Sequence, residues 1–215
     1  MFRRPPASSL STLVSTTLTL LTLVLSISIA THPMRGCDNG ITCLNVTANN
    51  LTFQCRVSGP ASTATAATII NHHPPPQGHV LLLHGFPEFS NMYVPLLRRL
   101  AALNYSSIAC NQRGYSLDAP QNEQEYLYHH LRQDAFAVAA VYFGSSTRFH
   151  LIGHDHGAML GWTMAASDNA HTRIASWTAL SVPHADAFSN GLYGPNSDVD
   201  QQISSQYFTM FVDNR

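Results

Sequence analysis

Hydrophobic positions change their spacing from one stretch of the chain to the next, and each spacing predicts an element. Residues 18–30 (LTLLTLVLSISIA) form an almost unbroken apolar run. Between Ile41 and Val57, short apolar stretches flank Ala48-Asn49-Asn50, which predicts two strands joined by a turn. Residues 59–78 are rich in Ala, Thr, Ser and Pro and hold His72-His73-Pro74-Pro75-Pro76, a linker or surface loop whose prolines exclude a central strand. The His pair there reads as solvated surface. From His79 the pattern becomes regular. His79-Val80-Leu81-Leu82-Leu83 is a continuous apolar run, as in a strand covered on both faces. Leu96, Leu97, Leu100 and Leu103 predict a helix over Tyr93 to Leu103, and Ser106 to Cys110 a strand. Leu131, Ala135, Val138, Val141 and Tyr142 line one face of a second helix. A strand over Phe149 to Ile152, a helix over Ala158 to Ala166 and a strand over Ile174 to Val182 follow. Alternation at these lengths demands right-handed crossovers, so the fold class is α/β, a mostly parallel sheet with helices on both faces.

Composition sets outer bounds. The chain has 215 residues with 45% apolar and only 11% charged residues, against a usual quarter, which excludes a charged disordered chain. Its net charge of −1, with 11 Arg and no Lys, argues against a nucleic-acid surface. Twelve His make the charge rise with acidification.

The apolar run changes how much of that length is fold. Arg3 and Arg4 precede it and Ser28-Ile29-Ala30 closes it, the form of a secretory signal over residues 1–30. An uncleaved anchor is the competing reading, because Leu10 to Ala30 carries no charge and about 20 apolar residues span a bilayer. A Ser/Thr-rich transit peptide is a third. Export, to the outside or with membrane attachment through this segment, is the expectation. Sequons at Asn45, Asn50 and Asn104 fit it. Cys37, Cys43 and Cys55 cluster after the signal within residues 31–58, which predicts a disulfide inside that cluster. Cys110 is expected as a small buried residue of a strand. Four free thiols are the alternative for a reducing compartment, and no Cys has zinc-site spacing.

In parallel sheets, reactive groups collect where strand ends meet helix N-termini. Two such ends stand out in the core spanning 79–190: His84-Gly85-Phe86-Pro87, and Gly153-His154-Asp155-His156-Gly157 directly before a helix. The second has the small-x-nucleophile-x-small form of a sharp strand-to-helix turn that thrusts its middle side chain outward. Here that residue is Asp155, a carboxylate favoured by the helix N-terminus and able to attack carbon to give an ester. The backbone N–H groups of His156 and Phe86 are the expected oxyanion donors.

Four ordered segments, HGFPEFSNMY at 84–93, NQRGYS at 111–116, LIGHDHGAMLGW at 151–162 and LSVPHADAF at 180–188, resemble α/β-hydrolases of the epoxide hydrolase and haloalkane dehalogenase branch. The resemblance covers roughly residues 41–215 and implies an Asp nucleophile, a small apolar epoxide as substrate, and no metal or organic cofactor. The residue after the nucleophile is usually Trp there and helps hold a departing halide; His156 in its place weakens a dehalogenase reading. Haloacetate dehalogenases commonly carry Arg at that position. Residues 191–215 resemble the start of a helical cap, and QYFTMFV at 206–212 places Tyr207 where a first acidic tyrosine lies. An aromatic in such a helix is otherwise core.

Plainer readings cover the remaining His. His84 braces the oxyanion loop, His150 is a satisfied core or interface residue, and His129-His130 lie near the start of a solvated helix. His154 and His156 point apart on a sharp turn, against a metal site. Arg113-Gly114-Tyr115 shapes a loop, and His184 lies near the site without being the base. The resemblance also implies a charge-relay acid and a catalytic His downstream of the cap, for which no counterpart is found before Arg215. The expectation is therefore the N-terminal part of an exported epoxide hydrolase with an incomplete sheet. The alternative is a non-catalytic hydrolase-like protein that binds a ligand.

Overall fold

A computed structural model describes residues 37–60, 74–115 and 118–207. The apolar N-terminal segment, the His72-His73 pair and the stretch after Tyr207 lie outside those residues. Among the described residues no helix is long and apolar enough to cross a membrane.

Strands β1 (Thr42–Ala48), β2 (Leu51–Ser58), β3 (His79–Leu83), β4 (Ser106–Cys110), β5 (Phe149–His154) and β6 (Ile174–Leu180) form one sheet in the order β1-β2-β4-β3-β5-β6. β4, β3, β5 and β6 run parallel, and β2 lies antiparallel between β1 and β4. The β1–β2 turn falls where expected, with Asn49 and Asn50 at φ 50° and 60°, left-handed conformations that Asn tolerates best among side-chain-bearing residues. β6 pairs only with β5 among the described residues, so that edge of the sheet is open.

Helices α1 (Val94–Ala102), α2 (Tyr128–Phe143), α3 (His156–Ala165), α4 (Ala170–Arg173), α5 (Ala185–Tyr193) and α6 (Val199–Ser204) complete the fold, with 3₁₀ turns at Ser90–Tyr93 and Glu123–Tyr126. The LLL run of β3 is explained by coverage on both faces. Leu81 and Leu83 pack with Leu131, Ala135 and Val138 of α2 and Leu160 and Met164 of α3, while Val80 and Leu82 pack with Tyr93 and Leu97 on the α1 side. Three boundaries shift by two residues. β6 ends at Leu180 rather than Val182, while β5 runs on to His154 and α3 begins at His156, leaving Asp155 alone between them.

Cys37 pairs with Cys43, inside the N-terminal cluster as expected. Cys110 corrects the expectation: it is buried in a strand but bonded to Cys55. The two lie directly opposite each other in the β2–β4 ladder. The sequence pattern shows that β2 forms a hairpin with β1, and gives no sign of its neighbour on the other side.

Candidate active site

Asp155 sits at φ 52° and ψ −121°, where a non-glycine residue costs on the order of 1–3 kcal/mol and is held only by its surroundings. Its N–H donates to the Leu180 carbonyl at 3.1 Å, and its own carbonyl accepts from Ala158 at 2.8 Å. The flanking glycines are required by close approach. A Cβ on Gly153 would strike the Gly157 carbonyl, and one on Gly157 would strike the carbonyls of Leu83 and His84. Gly85 has the same role toward the nucleophile, since a Cβ there would lie 2.6 Å from that of Asp155. Sequence reasoning placed the first two and missed the third.

The loop after β3 faces the carboxylate. The Phe86 N–H donates to Asp155 Oδ1 at 3.0 Å. The His156 N–H, at the first helical position, belongs to the amides a helix leaves without an intrahelical acceptor. His84 is 1% exposed and braces this loop as expected. Its Nε2 accepts the Gln112 N–H at 3.0 Å, so Nδ1 carries the proton and points at the Gly85 carbonyl 2.8 Å away. Burial holds the His84 imidazole below its ordinary pKa of 6.5. The far end of the loop hangs on residues that the sequence did not single out. Ser90 donates through N and Oγ to Asn111 Oδ1 at 3.0 and 2.7 Å, and Arg56 of β2 donates through Nη1 to Ser90 Oγ at 2.6 Å. Their only signal was position, Ser90 and Asn111 falling inside matched segments.

Arg113 does shape its loop, through a buried two-pronged ion pair with Asp134 of α2 (2.6 and 2.9 Å) and a third bond to Glu125 at 3.1 Å. His150 is satisfied by Ser176 at 2.8 Å, and His184 caps α5 by accepting from Asp186. His154 turns away to Glu88 at 2.9 Å, while His156 stacks on Tyr128 with ring centres 5.6 Å apart. Burial lowers the pKa of His156 and the Asp155 charge opposes the shift. Among the described residues no group of three or more His, Cys, Asp or Glu is placed to hold a metal.

Asp155 opens into a cavity of about 810 Å³. Phe86, Met159, Val182 and Phe188 give it apolar walls; Tyr128 and His156 line the side toward α2. Ser204, Ser205 and Tyr207, at and just beyond the end of α6, also line it. The structure thus brings all four expected site residues, Asp155, Phe86, His156 and Tyr207, around one space.

A family model described as alpha/beta hydrolase fold matches residues 78–210. The chain belongs to the α/β-hydrolase family. Within that family it is 30% identical over 135 residues to the AB hydrolase superfamily protein YfhM of Bacillus subtilis, covering 61% of this chain and 44% of that protein. It is 35% identical over 129 residues to epoxide hydrolase B of Mycobacterium tuberculosis, covering 60% and 35%. Among solved structures, an epoxide hydrolase from hot-environment metagenomes superposes with a TM-score of 0.62 at 26% identity, over 80% of this chain and 52% of that one. The chain therefore spans less than half the length of these curated relatives. Membership of the α/β-hydrolases accounts for the sheet order, the elbow and the loop after β3 together, and the relatives support an epoxide hydrolase-like chain within the epoxide hydrolase and haloalkane dehalogenase branch that its four segments resemble.

Proposed function

We propose that Asp155 is the nucleophile of an epoxide hydrolase site that forms an ester with its substrate. One observation carries this reading: a carboxylate on a strand-to-helix elbow, held by the Phe86 N–H, faces a largely apolar cavity. Oδ2, the oxygen not held by Phe86, attacks a ring carbon. The carbon–oxygen bond breaks, and the ring oxygen takes a proton from a pocket phenol, Tyr207 on the strength of the resemblance. Oδ1 then becomes the ester carbonyl oxygen, already hydrogen-bonded to the Phe86 amide. Water attacking that carbonyl would place negative charge on the oxygen held by Phe86, with the His156 N–H at the helix start as the second expected donor, and release a diol. The base that activates this water is not assigned to any described residue.

Styrene oxide provides the test. Asp155→Ala should abolish both diol formation and the covalent adduct detected by intact-protein mass spectrometry. An adduct or diol made at the parent rate by this variant refutes the assignment. We further propose that the chain enters an oxidising, secretory compartment, a reading supported by the N-terminal apolar segment and the two disulfides. Asn50, exposed in the β1–β2 turn, suits glycosylation better than Asn104, whose amide donates to the Pro75 carbonyl at 2.9 Å.

A further inference from the structure

The tyrosines around Asp155 differ in what holds their hydroxyls. Tyr93 donates to the Leu83 carbonyl at 2.8 Å and Tyr126 to the Pro120 carbonyl at 2.7 Å, so both are committed to structure. Tyr115 wedges its ring edge-on against His84 and Phe89 and lines an adjoining cleft of about 410 Å³ that shares Phe86 and His156 with the nucleophile's cavity but not Asp155 itself, although the Asp155 charge helps raise its pKa. Tyr128, the first residue of α2, reaches into the cavity that contains Asp155. Its ring is fixed by stacking on His156, at 26° between planes, and its hydroxyl makes no hydrogen bond to a described residue.

We propose that Tyr128 is a proton donor to the epoxide oxygen, supplied by the α/β core and acting beside or in place of Tyr207. This rests on the reading of Asp155 as nucleophile. As Asp155 Oδ2 bonds to the ring carbon, the carbon–oxygen electron pair passes to the ring oxygen and the Tyr128 hydroxyl proton follows it. The phenolate left behind regains a proton from solvent water. The surroundings suit the task. Burial first, and the negative charge of Asp155 second, hold the phenol above its ordinary pKa, so it carries its proton at neutral pH. Ester formation removes that negative charge and makes the phenol a stronger acid while the oxygen is gaining charge. The other titratable groups facing the cavity are His156, kept neutral by burial, and Tyr207.

Tyr128→Phe keeps the ring and its stack on His156 while deleting the donor. Single-turnover ester formation from styrene oxide, followed by intact-protein mass spectrometry, should slow by about tenfold or more in this variant. The alkaline fall in rate expected of the parent should also weaken in this variant. Ester formation at the parent rate in Tyr128→Phe overturns the proposal. So does a complete loss in Tyr207→Phe alone with Tyr128→Phe unaffected. If the parent forms no adduct, or Asp155→Ala still forms one, the nucleophile reading fails and this inference falls with it. An adduct lost in Asp155→Ala but undiminished in Tyr128→Phe removes the inference alone. Phenol titration by ultraviolet absorbance gives a readout that needs no turnover: the charge of Asp155 raises both Tyr115 and Tyr128, so Asp155→Asn should lower two tyrosine midpoints, and only one once Tyr128 is Phe. If the same number of midpoints shifts in Asp155→Asn with and without Tyr128→Phe, Tyr128 lies outside the field of Asp155 and the proposal is also overturned.

Discussion

His84 supports the site through a proton it lacks. Its Nε2 accepts from Gln112 only while unprotonated, and burial keeps it so, with its pKa depressed from 6.5. Unfolded, His84 titrates near 6.5, so its contribution to stability is complete above that pH. As pH falls, the unfolded chain takes the proton first, and stability drains until the folded pKa is reached. His79 and His156 are depressed in the same direction, chiefly by burial. We expect the melting temperature to fall as pH drops below 6.5, with stability declining by up to about 1.4 kcal/mol per pH unit from a fully depressed group. Calorimetry on His84→Asn should show a flatter acid limb, and an identical limb would assign the effect elsewhere. At this scale Asp155 was legible because small residues at fixed offsets announce a sharp turn. Tyr128 and Arg56 were not, because each acts across a tertiary contact that leaves no local pattern.

Among the elements, the β5–Asp155–α3 elbow is the least forgiving. α3 approaches β3 so closely that Gly157 abuts two backbone carbonyls, which cannot move aside as a side chain can. Gly157→Ala should therefore cost about 3 kcal/mol or prevent folding, while Gly191→Ala in α5, where a Cβ meets nothing within 4 Å, should be neutral or slightly stabilising. Urea unfolding of the pair checks this, and equal midpoints would mean the elbow has slack. Strand and helix identity was legible through the core, since burial on both sides imposes the apolar runs and the helical stripe of α2. The 3₁₀ turn at Ser90–Tyr93 was not, being held by the side-chain bonds of Ser90 and Tyr93 with no periodic pattern of its own.

For the molecule as a whole, the Cys55–Cys110 bond closes the longest covalent loop, at a sequence separation of 55. Chain-entropy arguments give such a closure about 4 kcal/mol through the unfolded state. Material secreted from eukaryotic cells should carry all four Cys oxidised, and replacing Cys55 and Cys110 together by Ala should lower its melting temperature by roughly 10 °C. Retention of the protein inside the cells would count against the export reading, free thiols in secreted material against the two disulfides, and an unmoved melting temperature against the entropic account. The Cys110 pairing escaped the sequence because hairpin patterns name a strand's next neighbour in the chain and stay silent about the one across the ladder.

The same hairpin reaches the chemistry through Arg56 and Ser90. The match to the family model begins at residue 78, yet residues 78–210 are not a transplantable part. A piece excised there would turn β4 into an outer strand, strip Ser90 of its guanidinium and leave Cys110 without its mate. The loop presenting Phe86 would then travel without its anchor, so any graft of this site has to take β1 and β2 along.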